Sequence, residues 1–250
     1  MPGLVYDKFL IFGDSITEFS YNAYPNGATD DTTAHFAFGS ALQNTYTRRL
    51  DVVQRGYAGF NSNHAADMIS EIVRIENSGI GKIKIATVFF GTNDAVHEGG
   101  CQHVPLDQFT SNIESIIKTL EKSNIKVIVI GPALHDEPRW RIGRAEDYKM
   151  GLIRSNESNL KYSTAAKELA SSLNVPFVDL YSEFKKFEKD DKWKELLCDG
   201  VHFTGEGYKV LFNQVMAKIR ESYPELAPEN LPFILPYWRD IRSDIPLTEQ

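Results

Sequence analysis

The fold class of this chain is decided by one stretch, Phe9-Leu10-Ile11-Phe12-Gly13-Asp14-Ser15. Four successive apolar residues predict a β-strand that is buried on both faces, which is typical of a parallel sheet covered by helices. The glycine ends this strand, so that Ser15 stands at its carboxyl end. In open α/β sheets, ligands bind in the crevice at that end of the strands.

Similar short apolar runs recur along the chain, and segments of helical period separate them. The predicted strands are residues 9–12, 52–53, 85–90, 127–130 and 177–180. Apolar residues spaced by three and four predict helices within 65–73 and 106–120, and a last one after Thr204, a candidate N-cap. This order predicts an α/β fold, a three-layer α/β/α sandwich around a five-stranded parallel sheet of flavodoxin-like order 2-1-3-4-5.

Length and composition limit the function classes. A chain of 250 residues with 42% hydrophobic residues suits a single domain over 1–250. The net charge of -7 argues against a nucleic-acid partner, and no apolar run is long enough for a membrane span. The N-terminus lacks a secretory pattern, and Cys101 and Cys198 are too few for a disulfide framework. We therefore expect a cytoplasmic protein.

Two segments stand apart from the strand and helix pattern. Five prolines interrupt residues 224–250, so this Pro-rich C-terminal extension cannot be a regular helix. Its apolar residues favour packing on its own domain, and contact with a second subunit in a homodimer, or with the pocket mouth, is the alternative. The charged loop 134–154, which contains Trp140, is long enough to be a candidate lid.

Four polar blocks follow strands or precede the last helix. Ser15 offers a nucleophile, Gly59 a bare backbone N–H, and Asn93 a side-chain amide, whereas Asp199 lies three residues before His202. Each block alone is typical of an ordinary turn. The predicted topology brings all of them to one edge of the sheet, and acyl transfer needs a nucleophile, a base, an acid that orients the base, and N–H donors.

These blocks resemble those of the GDSL, or SGNH, hydrolase family, whose label stands for Ser, Gly, Asn and His. The matching residues are Ser15, Gly59, Asn93 and His202, and Ile16 stands where the family label has Leu. The resemblance extends to the family's isoamyl acetate-hydrolysing esterases through four blocks, which are Phe12-Gly13-Asp14-Ser15-Ile16-Thr17-Glu18-Phe19, Gln54-Arg55-Gly56, Ile130-Gly131-Pro132 and Trp238-Arg239-Asp240.

The resemblance implies a serine esterase that cleaves small acetate esters such as isoamyl acetate. Ser15 would be the nucleophile, His202 the base and Asp199 the residue that orients it, and the oxyanion hole would consist of the N–H groups of Ser15 and Gly59 with the Asn93 amide. The expected partner is a small-molecule ester, and no cofactor and no metal is expected, because no zinc-type motif occurs. The alternatives are a carbohydrate O-deacetylase, a lysophospholipase, and a catalytically silent flavodoxin-like binding module.

Aromatic residues flank these blocks and are candidate walls of the substrate pocket. Packing in the core is the alternative role for such residues. They are Phe19, Tyr21, Phe60 and Phe203.

Overall fold

The computed structural model describes residues 4–24 and 34–247. Within these residues the strands form one parallel sheet of order β2-β1-β3-β4-β5, which confirms the predicted topology. The strands are β1 Asp7–Gly13, β2 Leu50–Gly56, β3 Ile83–Phe89, β4 Lys126–Ile130 and β5 Phe177–Val178.

A helix follows each of the five strands, as is usual for the crossover connections of a parallel sheet. The helices are α1 Ser15–Glu18, α2 Phe38–Thr45, α3 Ser62–Glu76, α4 Leu106–Lys122, α5 Glu137–Trp140, α6 Ala145–Lys149, α7 Asn156–Ser172, α8 Leu180–Lys185 and α9 Gly205–Ser222. Short 3₁₀ segments lie at Phe19–Tyr21, Lys189–Leu196, Pro224–Leu226 and Pro228–Asn230.

The core has one apolar layer on each face of the sheet. Successive side chains of β1 alternate between these layers, because neighbouring strand residues point to opposite faces. Leu10 and Phe12 pack with α3, α4 and α7. Phe9 and Ile11 pack with α2, α8 and α9. All four side chains are fully buried, as the uninterrupted apolar run predicts, and the arrangement confirms the three-layer sandwich.

The last strand is shorter than the sequence pattern predicts. β5 ends at Val178 and the chain turns into α8 at Leu180, because the Asp179 carboxylate accepts a hydrogen bond of 3.0 Å from the Ser182 N–H and caps the helix. The prediction for the last helix is confirmed, since the Thr204 side chain caps the start of α9.

The C-terminal extension contacts the residues that precede β2. The Arg48 guanidinium donates hydrogen bonds to the carbonyl oxygens of Ile234, Leu235 and Pro236, and the Arg49 guanidinium lies 4.0 Å from the centre of the Phe233 ring. These contacts are at the amino end of β2, whereas Ser15 follows the carboxyl end of β1. Among the described residues, none of the helices is both long and apolar enough to cross a membrane.

Candidate active site

Ser15 is positioned by a tight strand-to-helix turn. The carboxylate of Asp14 accepts a hydrogen bond of 2.9 Å from the Ile16 N–H and so caps α1. Gly13 permits the turn, because a Cβ at this position would collide with the Thr17 hydroxyl. Ser15 is therefore the first residue of α1, and a backbone N–H in the first turn of a helix has no acceptor within that helix.

The predicted acid and base lie in one turn just before α9. One carboxylate oxygen of Asp199 accepts hydrogen bonds from the N–H groups of Val201 and His202, at 3.0 and 2.9 Å. Gly200 has a φ of +99°, a conformation that glycine adopts without the steric cost that other residues incur. The turn closes where the Cys198 N–H donates to the His202 carbonyl at 2.8 Å. This geometry explains why a spacing of three residues brings carboxylate and imidazole together.

The structure places Ser15, His202 and Asp199 in one hydrogen-bonded chain. The His202 Nε2 atom lies 2.9 Å from the Ser15 Oγ, across 187 positions of sequence, and Nδ1 lies 2.8 Å from the Asp199 Oδ2. An ionised carboxylate only accepts hydrogen bonds, so Nδ1 carries the proton and Nε2 is free to accept the serine proton. Burial alone raises the pKa of Asp199, but hydrogen bonds and the charge of His202 hold that pKa well below its usual range.

Gly59 and Asn93 are linked to each other at the same edge of the sheet. The Asn93 amide nitrogen donates to the Phe60 carbonyl at 2.8 Å. The Gln102 side chain donates to the Gly59 carbonyl at 2.9 Å, and Gly59 has a φ of +80°. Both loops follow strands that pair with β1, so the structure brings the predicted oxyanion donors to the edge where Ser15 lies.

The segment predicted as a candidate lid is packed against the acid–base turn. Trp140 is 5% exposed, and its ring centre lies 6.0 Å from that of His202 in an edge-on arrangement. The Arg144 guanidinium lies 3.7 Å from the centre of the Trp140 ring and donates a hydrogen bond of 2.9 Å to Asp199 Oδ2. Sequence reasoning missed Arg144, since an arginine in a charged loop gives no signal of such a contact.

Three buried titratable groups lie behind these residues. Burial raises the pKa of Asp14 to about 7 and the pKa of Asp94 to about 6. Burial also lowers the pKa of His135 to about 4, so this ring is neutral at pH 7. Its Nδ1 lies 2.9 Å from the Gly200 carbonyl, and this hydrogen bond stabilises the turn that carries Asp199 and His202.

The four candidate pocket walls differ in where they lie. Phe19 lies edge-on to the His202 ring, with 5.2 Å between ring centres, and Phe60 stacks on Tyr57 beside the Gly59 loop. Phe203 is 3% exposed and belongs to the core, whereas Tyr21 is exposed. A shallow depression adjoins the imidazole, and its lining residues are Phe19, Asn22, Cys198, His202, Phe203, Gly205 and Tyr208.

In 4–24 and 34–247, no set of three or more His, Cys, Asp or Glu side chains is arranged to hold a metal ion.

Comparison with known proteins gives several close matches. The isoamyl acetate-hydrolyzing esterase of Saccharomyces cerevisiae is 40% identical over 239 residues, which cover 96% of this chain and 97% of that protein. The isoamyl acetate-hydrolyzing esterase 1 homolog of Bos taurus is 31% identical over 250 residues, covering 97% and 91%.

Two solved bacterial structures have the same fold. A lipase/acylhydrolase from Enterococcus faecalis matches with a TM-score of 0.64 at 22% identity, covering 86% of this chain and 96% of that one. An acetylxylan esterase from Geobacillus stearothermophilus matches with a TM-score of 0.61 at 20% identity, covering 85% and 94%. At these identities the likeness concerns the fold.

The family follows from a match that spans most of the chain. The model of the GDSL-like lipase/acylhydrolase family matches residues 11–210, a range that includes Ser15, Gly59, Asn93, Asp199 and His202. With this match and the two esterase relatives, the chain belongs to the GDSL-like lipase/acylhydrolase family and is a carboxylic ester hydrolase.

Proposed function

We propose that this chain hydrolyses small acetate esters, isoamyl acetate among them, with Ser15, His202 and Asp199 as its catalytic triad. The observation that carries the proposal is the hydrogen-bonded chain from the Ser15 hydroxyl through the His202 ring to the Asp199 carboxylate. A nucleophile, a base and an acid that orients the base, linked in this order, are the arrangement by which serine hydrolases carry out covalent acyl transfer.

The first half of the proposed reaction forms an acyl-enzyme. The Ser15 oxygen bonds to the ester carbonyl carbon while its proton passes to His202 Nε2. Asp199, at 2.8 Å from Nδ1, stabilises the imidazolium that forms. The tetrahedral intermediate then breaks its bond to the alcohol oxygen, which takes the proton from His202 and leaves as the free alcohol.

The second half regenerates the serine. Water loses a proton to His202 and attacks the acetyl carbon, and the bond to the Ser15 oxygen breaks as that oxygen recovers a proton. In both halves the negative charge on the carbonyl oxygen would be stabilised by the N–H groups of Ser15 and Gly59 and by the Asn93 amide. Removal of one such donor costs about 100- to 1,000-fold in turnover.

The triad is tested by Ser15→Ala and His202→Ala with p-nitrophenyl acetate as substrate. We expect each substitution to lower kcat by at least about 10³-fold, the order seen when triad members are removed. Ser78→Ala and His97→Ala are matched controls, because both residues are exposed and lie outside the site. If Ser15→Ala or His202→Ala had the turnover of the unsubstituted protein, the proposed catalytic triad would be wrong.

The proposed substrate class is supported by the yeast relative at 40% identity. It is tested by initial rates on isoamyl acetate, acetylated xylan and lysophosphatidylcholine, together with a series of p-nitrophenyl esters from acetate to octanoate. We expect the highest kcat/KM for isoamyl acetate and for the acetyl member of the series. A preference for the xylan or the lysolipid would assign the chain to the carbohydrate deacetylases or the lysophospholipases instead.

A cytoplasmic location is part of the proposal. It is supported by the two free thiols of Cys101 and Cys198, since reducing compartments keep such thiols unpaired, and cell fractionation tests it. The homodimer stays a prediction, which light scattering of the purified protein tests. The single domain over 1–250 also stays a prediction, and a single thermal unfolding transition is its expected outcome.

A further inference from the structure

A buried arginine, Arg154, lies at the junction of the two loops that carry the proposed oxyanion donors. The residue is 4% exposed and directly precedes Ser155, which caps α7 by accepting a hydrogen bond of 3.0 Å from the Ser158 N–H. The Ser158 hydroxyl donates to the Ala95 carbonyl at 2.7 Å. The start of α7 is thus fixed against the loop of Asn93, and the position of Arg154 is fixed with it.

The contacts of this guanidinium join both loops. Its Nε donates to the Thr92 carbonyl at 3.0 Å. Its Nη2 donates to the Asn93 Oδ1 at 2.8 Å and to the Gln102 Oε1 at 3.0 Å. Gln102 in turn donates to the Gly59 carbonyl at 2.9 Å, so one side chain connects the Asn93 loop with the Gly59 loop.

These contacts also determine which way the Asn93 amide is turned. An arginine can only donate hydrogen bonds, so the amide oxygen must face Arg154. The Phe60 carbonyl can only accept, so the amide nitrogen must face Phe60, at 2.8 Å. The other amide hydrogen has no protein acceptor among the described residues, and it is the hydrogen that an oxyanion would use.

We propose that Arg154 is a positioning residue of the oxyanion hole, which fixes the Asn93 amide with its nitrogen available to the developing oxyanion and ties this loop to Gly59 through Gln102. The inference rests on the proposed function. Burial lowers the pKa of Arg154 to about 10, and the side chain therefore remains a cation at neutral pH. A cation beside the amide oxygen polarises the amide and strengthens its N–H as a donor.

A double-mutant cycle tests the proposal with p-nitrophenyl acetate. Asn93→Ala lowers kcat by about 100- to 1,000-fold if Asn93 is an oxyanion donor. Arg154→Met lowers kcat by about 10-fold or more with KM changed less than about twofold, because an oxyanion donor acts on the transition state. In the Asn93→Ala background, Arg154→Met adds less than about a threefold loss, because its partner is already absent.

Two further variants keep the test decisive if Arg154→Met does not fold. Arg154→Lys retains the cation and recovers part of kcat. Gln102→Leu removes the hydrogen bonds to the Gly59 carbonyl and to Arg154 but leaves the bond between Arg154 and Asn93, and it lowers kcat without a change in KM. The positioning role would be overturned if Arg154→Met lowered kcat by the same factor in the presence and in the absence of Asn93, or if its effect were confined to KM. An unaffected Asn93→Ala or Ser15→Ala would instead overturn the proposed function.

Discussion

Asp199→Asn is the substitution that tests the hydrogen-bond geometry of the site most closely. Every partner of this carboxylate is a donor: the N–H groups of Val201 and His202 at one oxygen, and the His202 ring and Arg144 at the other. An amide has an NH₂ group in place of one oxygen, and in either orientation this group faces two donors. The imidazole can relieve the conflict by moving its proton from Nδ1 to Nε2.

A proton on Nε2 blocks the proposed base, because that nitrogen can then no longer accept the proton of Ser15 at 2.9 Å. The analogous substitution in a serine protease triad costs about 10⁴-fold in kcat, which corresponds to about 5 kcal/mol of activation free energy. We expect a loss of this order with p-nitrophenyl acetate at pH 7. Nitrogen-15 NMR of the His202 ring should show the proton on Nε2.

Asp179→Asn is the matched control for this prediction. Its carboxylate also caps a turn, at the start of α8, but it lies outside the site, and asparagine is an equally good N-cap. We expect unchanged turnover for this variant. If Asp199→Asn keeps more than about a tenth of the original kcat, with Nδ1 still protonated, the role given to Asp199 is wrong.

Three further substitutions test other parts of the account. Arg144→Met removes the hydrogen bond to Asp199, and because this ion pair is partly exposed we expect a loss of only about 1 kcal/mol, roughly fivefold in kcat; a loss as large as that of Asp199→Asn would contradict this. Gly200→Ala places a side chain on a left-handed backbone, where its Cβ would collide with a carbonyl oxygen. Gly99 has the same sign of φ but open space around it, so Gly99→Ala should cost only the backbone strain, about 1–3 kcal/mol. Thermal unfolding should therefore show a larger destabilisation for Gly200→Ala than for Gly99→Ala. Burial raises the pKa of Asp14 from 3.8 to about 7, so the folded protein binds a proton that the unfolded chain has released, and the free energy of unfolding should fall as pH rises from about 4 to 7. Asp14→Asn, which keeps the cap of α1, should flatten that fall in chemical denaturation; an unchanged slope would show that Asp14 does not titrate in this way.

The sequence predicts the central strands of the sheet well because β1, β3 and β4 are largely buried on both faces. An uninterrupted apolar run such as Phe9 to Phe12 is best buried in a strand that helices cover on both faces. Right-handed crossovers then allow only a few strand orders. The end of β5 was predicted less well, because the capping interaction of Asp179 ends the strand while the apolar pattern continues to Leu180. This boundary is determined by a local hydrogen bond, and the hydrophobic pattern of the sequence gives no sign of it.

The candidate site was predictable as far as its motifs extend. Ser15, Gly59 and Asn93 each follow a strand, and Asp199 and His202 share one turn, so topology alone brings them to the same edge. Arg144 and Arg154 could not be predicted in the same way. Their roles depend on which loops meet in three dimensions, and a single arginine in a charged loop is usually exposed. The structure gives these residues partners that no sequence spacing indicates.

The most direct test of the central claim is to identify the residue that reacts with an activated-serine probe. The protein is treated with a fluorophosphonate, digested, and the modified peptide is sequenced by mass spectrometry. We expect modification of Ser15 in the unsubstituted protein and in Asp179→Asn, and its loss in His202→Ala. Modification of a different residue, or labelling of Ser15 at an unchanged rate in His202→Ala, would contradict the proposal that His202 activates Ser15.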